Sequence, residues 1–317
     1  MNWNIPSSFG FRHSFFRAAL VTLLFTIAFT SGAAEIRIAT YNVENYIDHT
    51  ASARQLKSAE SKAKVRESIR ALKADVIALQ EMGLESALQE LRSSLKAEGL
   101  NYPYWKHVRG YDTNIFVAVL SKYPFTAERP HTNASYLVNG RRLQMSRGIA
   151  EVDIKVNNTY TFTLFTAHLK SKRPIGIANE ADMREEEARV LRGLIDERLK
   201  ANPNANLVIM GDMNDTKDSK PIKTLVGRGR TKLTDTRPPE RNGDTLPAEK
   251  PGYDPRNIAW THFYGLEDSY SRIDYIFLSP GMAREWNPAE SYVLALPNWG
   301  LASDHRPLVI TVSAQDK

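Results

Sequence analysis

The chain has 317 residues, 42% hydrophobic, 25% charged and 9% aromatic, with a formal net charge of +6. This is ordinary globular composition; it excludes a disordered tail, a collagen-like chain and a coiled coil. Without cysteine there is no disulfide framework, thiolate metal site or cysteine nucleophile, and the mild basic excess fits an anionic partner without requiring one.

Residues 1–34 read as a separate object. Arg12, His13 and Arg17 give a positive start, Ala18 to Phe29 is an apolar run, and Thr30 to Ala34 are small residues. That is the layout of a secretory signal peptide. The run is about 12 residues, short of the roughly 20 that span a bilayer. Cleavage after Ala34 is therefore expected, with residues 35–317 exported to the periplasm or the medium as one domain with no stable membrane insertion. Loss of Arg12 and Arg17 leaves 40 basic against 36 acidic residues, or +4.

The mature chain alternates strands and helices. Ile36 to Ala39 reads as a strand, residues 54–73 as an amphipathic helix with Val65, Ile69 and Leu72 on one face, and Val76 to Leu79 as a buried strand. Leu84, Leu88, Leu91 and Leu95 form a helical stripe. Ile115 to Leu120, Ile149 to Val156 and Thr159 to Ala167 read as strands, 178–200 as a charged helix, and Leu207 to Met210 as a buried strand. Residues 237–257, rich in proline and turn residues, read as a long surface loop. Ile273 to Phe277 and Leu308 to Ile310 close the chain as strands. The pattern predicts one α/β domain with helices outside sheets.

Polar residues recur where apolar strands end: Asn42, Glu81, His168, Asp212 with Asn214, Asp274 within RIDYIF, and Asp304 with His305. Strand ends hold side chains stiffly while leaving them accessible. Asn, Glu and Asp offer hard oxygen donors, which suit Mg²⁺, with Mn²⁺ as the alternative. Histidines beside carboxylates form acid–base pairs. Neither a cysteine nor a serine in a nucleophile elbow is present, so water is the expected nucleophile. A hard metal, a base and nearby cations are what phosphoester hydrolysis requires.

Over about residues 36–312 the chain resembles the endonuclease/exonuclease/phosphatase superfamily. The resemblance rests on TYNVEN (40–45), ALQEM (78–82), VLSKYPF (119–125), TAHLKS (166–171), GDMND (211–215), SRIDYIF (271–277) and SDHRPL (303–308), in that order. It implies a four-layer α/β/β/α sandwich, with two mixed, mainly antiparallel sheets face to face and the site at one sheet edge. It also implies roles. Glu81 is the main metal carboxylate, with Asn42 near the metal and Asp304 a further ligand or the residue that positions it. Asp212 orients or deprotonates water, and Asn214 bonds the phosphoryl oxygens. His305 is the other acid–base residue, Asp274 orients a histidine, and His168 binds the scissile phosphate or protonates the leaving group. Arg147 matches a phosphate-binding arginine.

His168 argues against the abasic-site branch, and SRID in place of Trp-Cys-Asp-Arg disfavours the inositol polyphosphate phosphatases. Deoxyribonuclease pairs its C-terminal histidine with a mid-chain Glu; Glu128 and Glu151 are the candidates here. Asp274 is expected to pair with His168. Lys170, Lys172 and Arg173 are expected to contact substrate, with Arg228, Arg230 and Lys232 as another basic cluster. The run at 182–192 reads as a solvated helix face, and His49, His107, His131 and His262 as surface or capping residues. Trp299 looks exposed beside the site. The expected activity is an exported, monomeric Mg²⁺-dependent phosphodiesterase, first a nuclease of low sequence specificity acting on nucleic acid. The alternatives are a phosphatase or phospholipase C-type enzyme on small or lipid phosphoesters, and a catalytically silent binding protein of the same fold.

Overall fold

The computed structural model describes residues 1–3, 34–49, 54–240 and 259–317. The apolar run at 18–29 and most of the loop expected at 237–257 lie outside the described residues. Contacts divide the chain into Met1–Gly32 and Ala33–Lys317. Among the described residues, every strand and helix belongs to the second unit, and no helix is long and apolar enough to cross a membrane.

In chain order the elements are β1 (Glu35–Tyr46), α1 (Ala59–Leu72), β2 (Val76–Met82), α2 (Glu85–Ala97), β3 (Tyr104–Val108), β4 (Phe116–Ser121) and β5 (Phe125–Glu128). Next come β6 (Ser135–Val138), β7 (Arg141–Gln144), β8 (Ala150–Lys155), β9 (Thr161–His168), α3 (Glu180–Ala201), β10 (Leu207–Asp212) and α4 (Lys220–Val226). The chain closes with β11 (Thr234–Asp235), β12 (His262–Tyr264), β13 (Ser269–Ser271), β14 (Asp274–Leu278), β15 (Trp286–Val293) and β16 (Leu308–Ser313).

Two six-stranded sheets run β15-β16-β1-β2-β4-β3 and β11-β14-β10-β9-β8-β5. Each is antiparallel apart from one central parallel pair, β1 with β2 and β9 with β10. Alternation along the strands explains the layering. Ile36, Ile38, Val76 and Ala78 point into a core shared with Leu164, Val208, Met210 and Ile276 of the other sheet. The opposite faces carry Ala39, Tyr41, Ile77 and Leu79, packed on Val65, Ile69, Leu88 and Leu91 of α1 and α2. Phe165, Ile209 and Phe277 likewise meet Leu191 and Ile195 of α3. The result is the expected four-layer sandwich.

Local signals set the helix ends. Ser58 accepts the Ser61 N–H at 3.0 Å and starts α1 four residues inside the expected limit, while Lys73, left-handed, stops it. Asn179 caps α3 through the N–H groups of Ala181 and Asp182. The 182–192 run is solvated only in part: Asp182 and Arg189 are exposed, but Arg184, Glu187 and Arg192 are buried. Arg184 holds Asp215 at 2.9 Å, Arg192 donates to the carbonyls of Leu225 and Thr231, and Glu187 accepts the Lys170 N–H at 2.6 Å. These charged heads replace the solvation lost on burial and tie α3 to the loops beyond β9 and β10.

Glu285 is buried, and the Tyr160 hydroxyl donates to it. Burial pushes its carboxyl up to about 7. The folded state therefore holds a proton that the unfolded chain releases near pH 4.5. The stabilisation is complete below that pH and is lost as pH rises through about 7. Glu285→Gln is expected to stabilise the protein by about 2 kcal/mol at roughly pH 8 and hardly at about pH 4. Urea unfolding at the two pH values checks this; equal shifts at both would refute it.

Candidate active site

The two parallel pairs end at the same edge of the sandwich, and register assembles the site. In the first sheet the β1–β2 ladder runs to Asn42 opposite Gln80, then shifts and resumes at Tyr46 opposite Met82. In the gap Glu44, Asn45 and Glu81 are left-handed, with φ of 45°, 52° and 60°. Non-glycine residues held there mark functional segments more often than ordinary strand ends. The irregularity is braced: Glu81 Oε2 accepts the Asn45 N–H at 3.0 Å, and Asn42 Oδ1 accepts the Glu44 N–H at 3.0 Å.

In the second sheet Asp212 lies opposite His168 on one side and Asp274 on the other. Gly211 makes this approach feasible. Its φ is +134°, and a Cβ there would sit 2.0 Å from the Ala167 carbonyl oxygen. Only glycine tolerates both conditions.

Asp212 Oδ2 is the meeting point. Asn42 Nδ2 donates to it at 3.0 Å, and the Nε2 atoms of His168 and His305 stand 3.4 and 3.7 Å away. Its other oxygen accepts the Asn214 N–H at 2.8 Å. Asn214, itself left-handed, is anchored by Nδ2 donating to the Leu169 carbonyl at 3.0 Å. His305 Nδ1 pairs with Asp274 Oδ2 at 2.8 Å. Ser303 Oγ accepts the His305 N–H and donates to the Asn42 carbonyl, fixing the C-terminal loop to β1.

The two histidines are held in opposite states. For His305, burial disfavours charge, but Asp274 and Asp212 outweigh it and raise its pKa well above the ordinary value. For His168, burial and then the positive charges of Arg147, His305, Arg54 and Lys170 push the pKa well down. Burial and the neighbouring Asp274 push Asp212 upward, against the charge on His305. A histidine biased toward its charged form, one biased toward its neutral form and a carboxylate whose pKa is pushed upward thus share a buried site.

Glu81, Asp304 and Glu44 form a carboxylate group at its mouth. Burial raises Glu44, and the charges of Asp304 and Glu81 add to the rise while Lys57 opposes it. Arg54 stands 3.9 Å from Glu81 and donates to Asn45 Oδ1.

Three expectations are corrected. Asp274 pairs with His305, not His168, because antiparallel β14 sets it abreast of Asp212 and facing the C-terminal loop. Neither Glu128 nor Glu151 partners His305: Glu128 pairs with Lys106 at 2.6 Å, and Glu151 is engaged by Arg129, His131 and Arg198. Lys170 is buried, and its Nζ donates to the carbonyls of Ser171 and Arg173 at 2.9 and 2.8 Å. It therefore organises its own loop and leaves Lys172 and Arg173 exposed.

Arg147 lies in the site, with a buried Nε that has no hydrogen-bond partner. Trp299 is half-buried against Trp260, ring centroids 5.0 Å apart. Residues missed in the sequence are Glu44, Arg54, Glu187 and His262. Glu44 stands inside TYNVEN, and His262 lies two residues beyond Trp260; Arg54 and Glu187 carry no local signal.

These features define the fold of a phosphoesterase with an acid–base site at one sheet edge. The family model of the endonuclease/exonuclease/phosphatase family matches residues 39–305, and the chain belongs to that family. No curated protein sequence matches the chain significantly. Among solved structures it is similar to the human Nocturnin catalytic domain with bound sulfate anion (TM-score 0.60, 16% identity, covering 89% of this chain and 95% of that one). Truncated TDP2 of Caenorhabditis elegans gives 0.59 at 17% identity, with 88% and 98% covered. A family protein from Bacteroides thetaiotaomicron gives 0.57 at 17%, with 88% and 95% covered. At these identities the likeness shows the fold.

Proposed function

We propose that the protein is an exported Mg²⁺-dependent phosphodiesterase that cleaves nucleic acid with little sequence preference. The observation that carries the chemistry is the convergence of Asn42, His168 and His305 on Asp212, with Asp274 behind His305. A binding protein has no need of that arrangement. The carboxylates at the mouth fit a hard divalent cation, because the charges of Asp304 and Glu81 acting on Glu44 are what such an ion relieves. Glu81 and Asp304 would hold it, with Glu44 beside them; when bound it neutralises charge on the phosphoryl oxygens.

The remaining steps belong to the chain's own residues. Asp212 orients a water and takes its proton as the water oxygen bonds to phosphorus. Asn214 and Arg147 hold phosphoryl oxygens, within the positive field around neutral His168. Charged His305, steadied by Asp274, gives its Nε2 proton to the leaving oxygen as the phosphorus–oxygen bond breaks.

A second feature favours a polymer. An open cleft of about 630 Å³ is lined by Arg189, Lys217, Lys220, Lys223 and Arg228 against Glu185. It begins three residues beyond Asn214. Backbone phosphates suit such a surface, and contacts of that kind carry no base information. Lys220→Glu with Lys223→Glu is expected to slow plasmid cleavage at least about tenfold near roughly 0.1 M salt, and to lower the salt slope by about one for each phosphate no longer neutralised. Hydrolysis of bis-p-nitrophenyl phosphate should be unchanged. Equal loss on both substrates would count against the cleft.

One observation favours a lipid phosphodiester instead: the β12–β13 hairpin next to His305 exposes Tyr264, Leu266 and Tyr270, with Leu266 at 86%. The deciding experiment is an activity panel of plasmid DNA, single-stranded DNA, RNA and sphingomyelin vesicles with Mg²⁺, Mn²⁺ or chelator. Brisk lipid hydrolysis without nucleic-acid cleavage would overturn the nuclease reading. For export, protein recovered from the source cell's envelope or medium is expected to begin near Glu35.

A further inference from the structure

His262 has no part in the chemistry above, yet it faces the site. β12 is clipped to the C-terminal loop by backbone bonds: the Phe263 N–H donates to the Asp304 carbonyl at 2.9 Å, and the Arg306 N–H to the Thr261 carbonyl at 2.7 Å. His262 therefore bridges His305, with ring centroids 4.6 Å apart. Its Nε2 stands 3.7 Å from Asp304 Oδ2, and His305 Nε2 stands 3.8 Å from Asp304 Oδ1. The three ligand atoms lie within 4.8 Å of one another.

We propose that His262, Asp304 and His305 form a second, overlapping site for a borderline transition-metal ion, Zn²⁺ in the first instance, that shares Asp304 with the mouth carboxylates, and that its occupation switches the hydrolase off.

Both imidazoles are prepared for this. His305 is tethered through Nδ1 to Asp274 at 2.8 Å, and His262 Nδ1 lies 3.5 Å from Ser271 Oγ. Each ring therefore presents Nε2 to the same carboxylate, the arrangement in which an outer partner fixes the orientation of a metal-binding histidine. Two imidazoles and one carboxylate select zinc-like ions, whereas Mg²⁺ prefers oxygen donors. A tetrahedral ion with bonds of about 2.0–2.1 Å holds its ligand atoms roughly 3.3–3.4 Å apart. Closing the three donors from their present separations asks for movements of about 1 Å, within reach of side-chain rotation.

The ion occupies His305 Nε2, the atom that faces Asp212 at 3.7 Å, so that nitrogen can no longer serve the leaving oxygen. It also draws Asp304 from the mouth carboxylates. Water can fill the open coordination position, which makes the site exchangeable rather than structural.

The inference rests on the proposed function only for its activity readout; binding is read independently. Co²⁺ added to the purified metal-free protein is expected to give a visible d–d absorption of histidine-ligated, low-coordinate ion, lost in His262→Ala. With saturating Mg²⁺, Zn²⁺ should inhibit bis-p-nitrophenyl phosphate hydrolysis. His262→Ala, measured against its own rate without Zn²⁺, should need at least about tenfold more Zn²⁺ for half-inhibition, since losing even an outer partner costs about 10–100-fold in metal affinity. His262→Gln, which keeps a polar side chain at the bridge, should behave like His262→Ala; a melting curve on each checks that the hairpin is intact. Unaltered Co²⁺ absorption in folded His262→Ala or His262→Gln would overturn the site whatever the enzyme hydrolyses. An unshifted Zn²⁺ response with the absorption lost would overturn the switch.

Discussion

Replacing Asp274 by Asn is expected to lower kcat by about 10²–10⁴-fold, because positioned proton transfer carries about that much of the rate. The carboxylate does two things for His305: it accepts from Nδ1 at 2.8 Å, and its charge sustains the imidazolium against burial. Asparagine keeps the shape and an amide oxygen that can accept, but loses the charge that sustains the imidazolium. His305→Ala should cost a similar factor, and the double variant little more, because residues that act as one unit are not additive. His168→Ala should couple to Asp274→Asn less strongly than His305→Ala does, since its ring touches Asp212 rather than Asp274. The cycle is measured on bis-p-nitrophenyl phosphate. Additive losses for Asp274 and His305, or a coupling of Asp274 to His168 as large as that to His305, would show that the pairing does not govern turnover.

Glu81→Gln is expected to remove at least about 10²-fold of the activity at sub-millimolar Mg²⁺, with part of it returning as Mg²⁺ is raised, and chelation should abolish activity in the parent protein. The change preserves size and the bond from the Asn45 N–H but deletes one of the charges crowding Glu44. The same relief predicts a more stable protein without metal, since like charges at close range oppose folding. A Mg²⁺ titration of rate, with a melt in chelator, reads both effects. Full activity of Glu81→Gln at low Mg²⁺ would remove this carboxylate from the metal set.

Much of the fold was legible because the strands are apolar runs bounded by polar ends. β2, β4 and β10 each lie close to the expected limits. The edge strands β3, β5 and β15 were not read. Their burial is broken, as in the exposed–intermediate alternation of Phe125–Glu128, and they owe their form to a neighbouring strand rather than to their own pattern. The charged face of α3 misled for a related reason: charge in a sequence indicates solvent unless partners are known, and those of Arg184 and Glu187 lie in distant loops.

The sequence by itself determined the chemical inventory. Asn42, Glu81, His168, Asp212, Asn214, Asp274, Asp304 and His305 could be picked out because short strands leave polar residues at their ends, a property of local pattern. Only the tertiary structure decided which of them act on one another. Asp274 belongs to His305 because antiparallel β14 lies beside β10, and His168 is pushed toward its neutral form by burial and by Arg147, His305 and Arg54, which arrive from three separate segments. His262 joins Asp304 because β12 is bonded to the C-terminal loop, far along the chain. Pairing and protonation depend on distance and burial across the chain, and neither is encoded in any local run of residues.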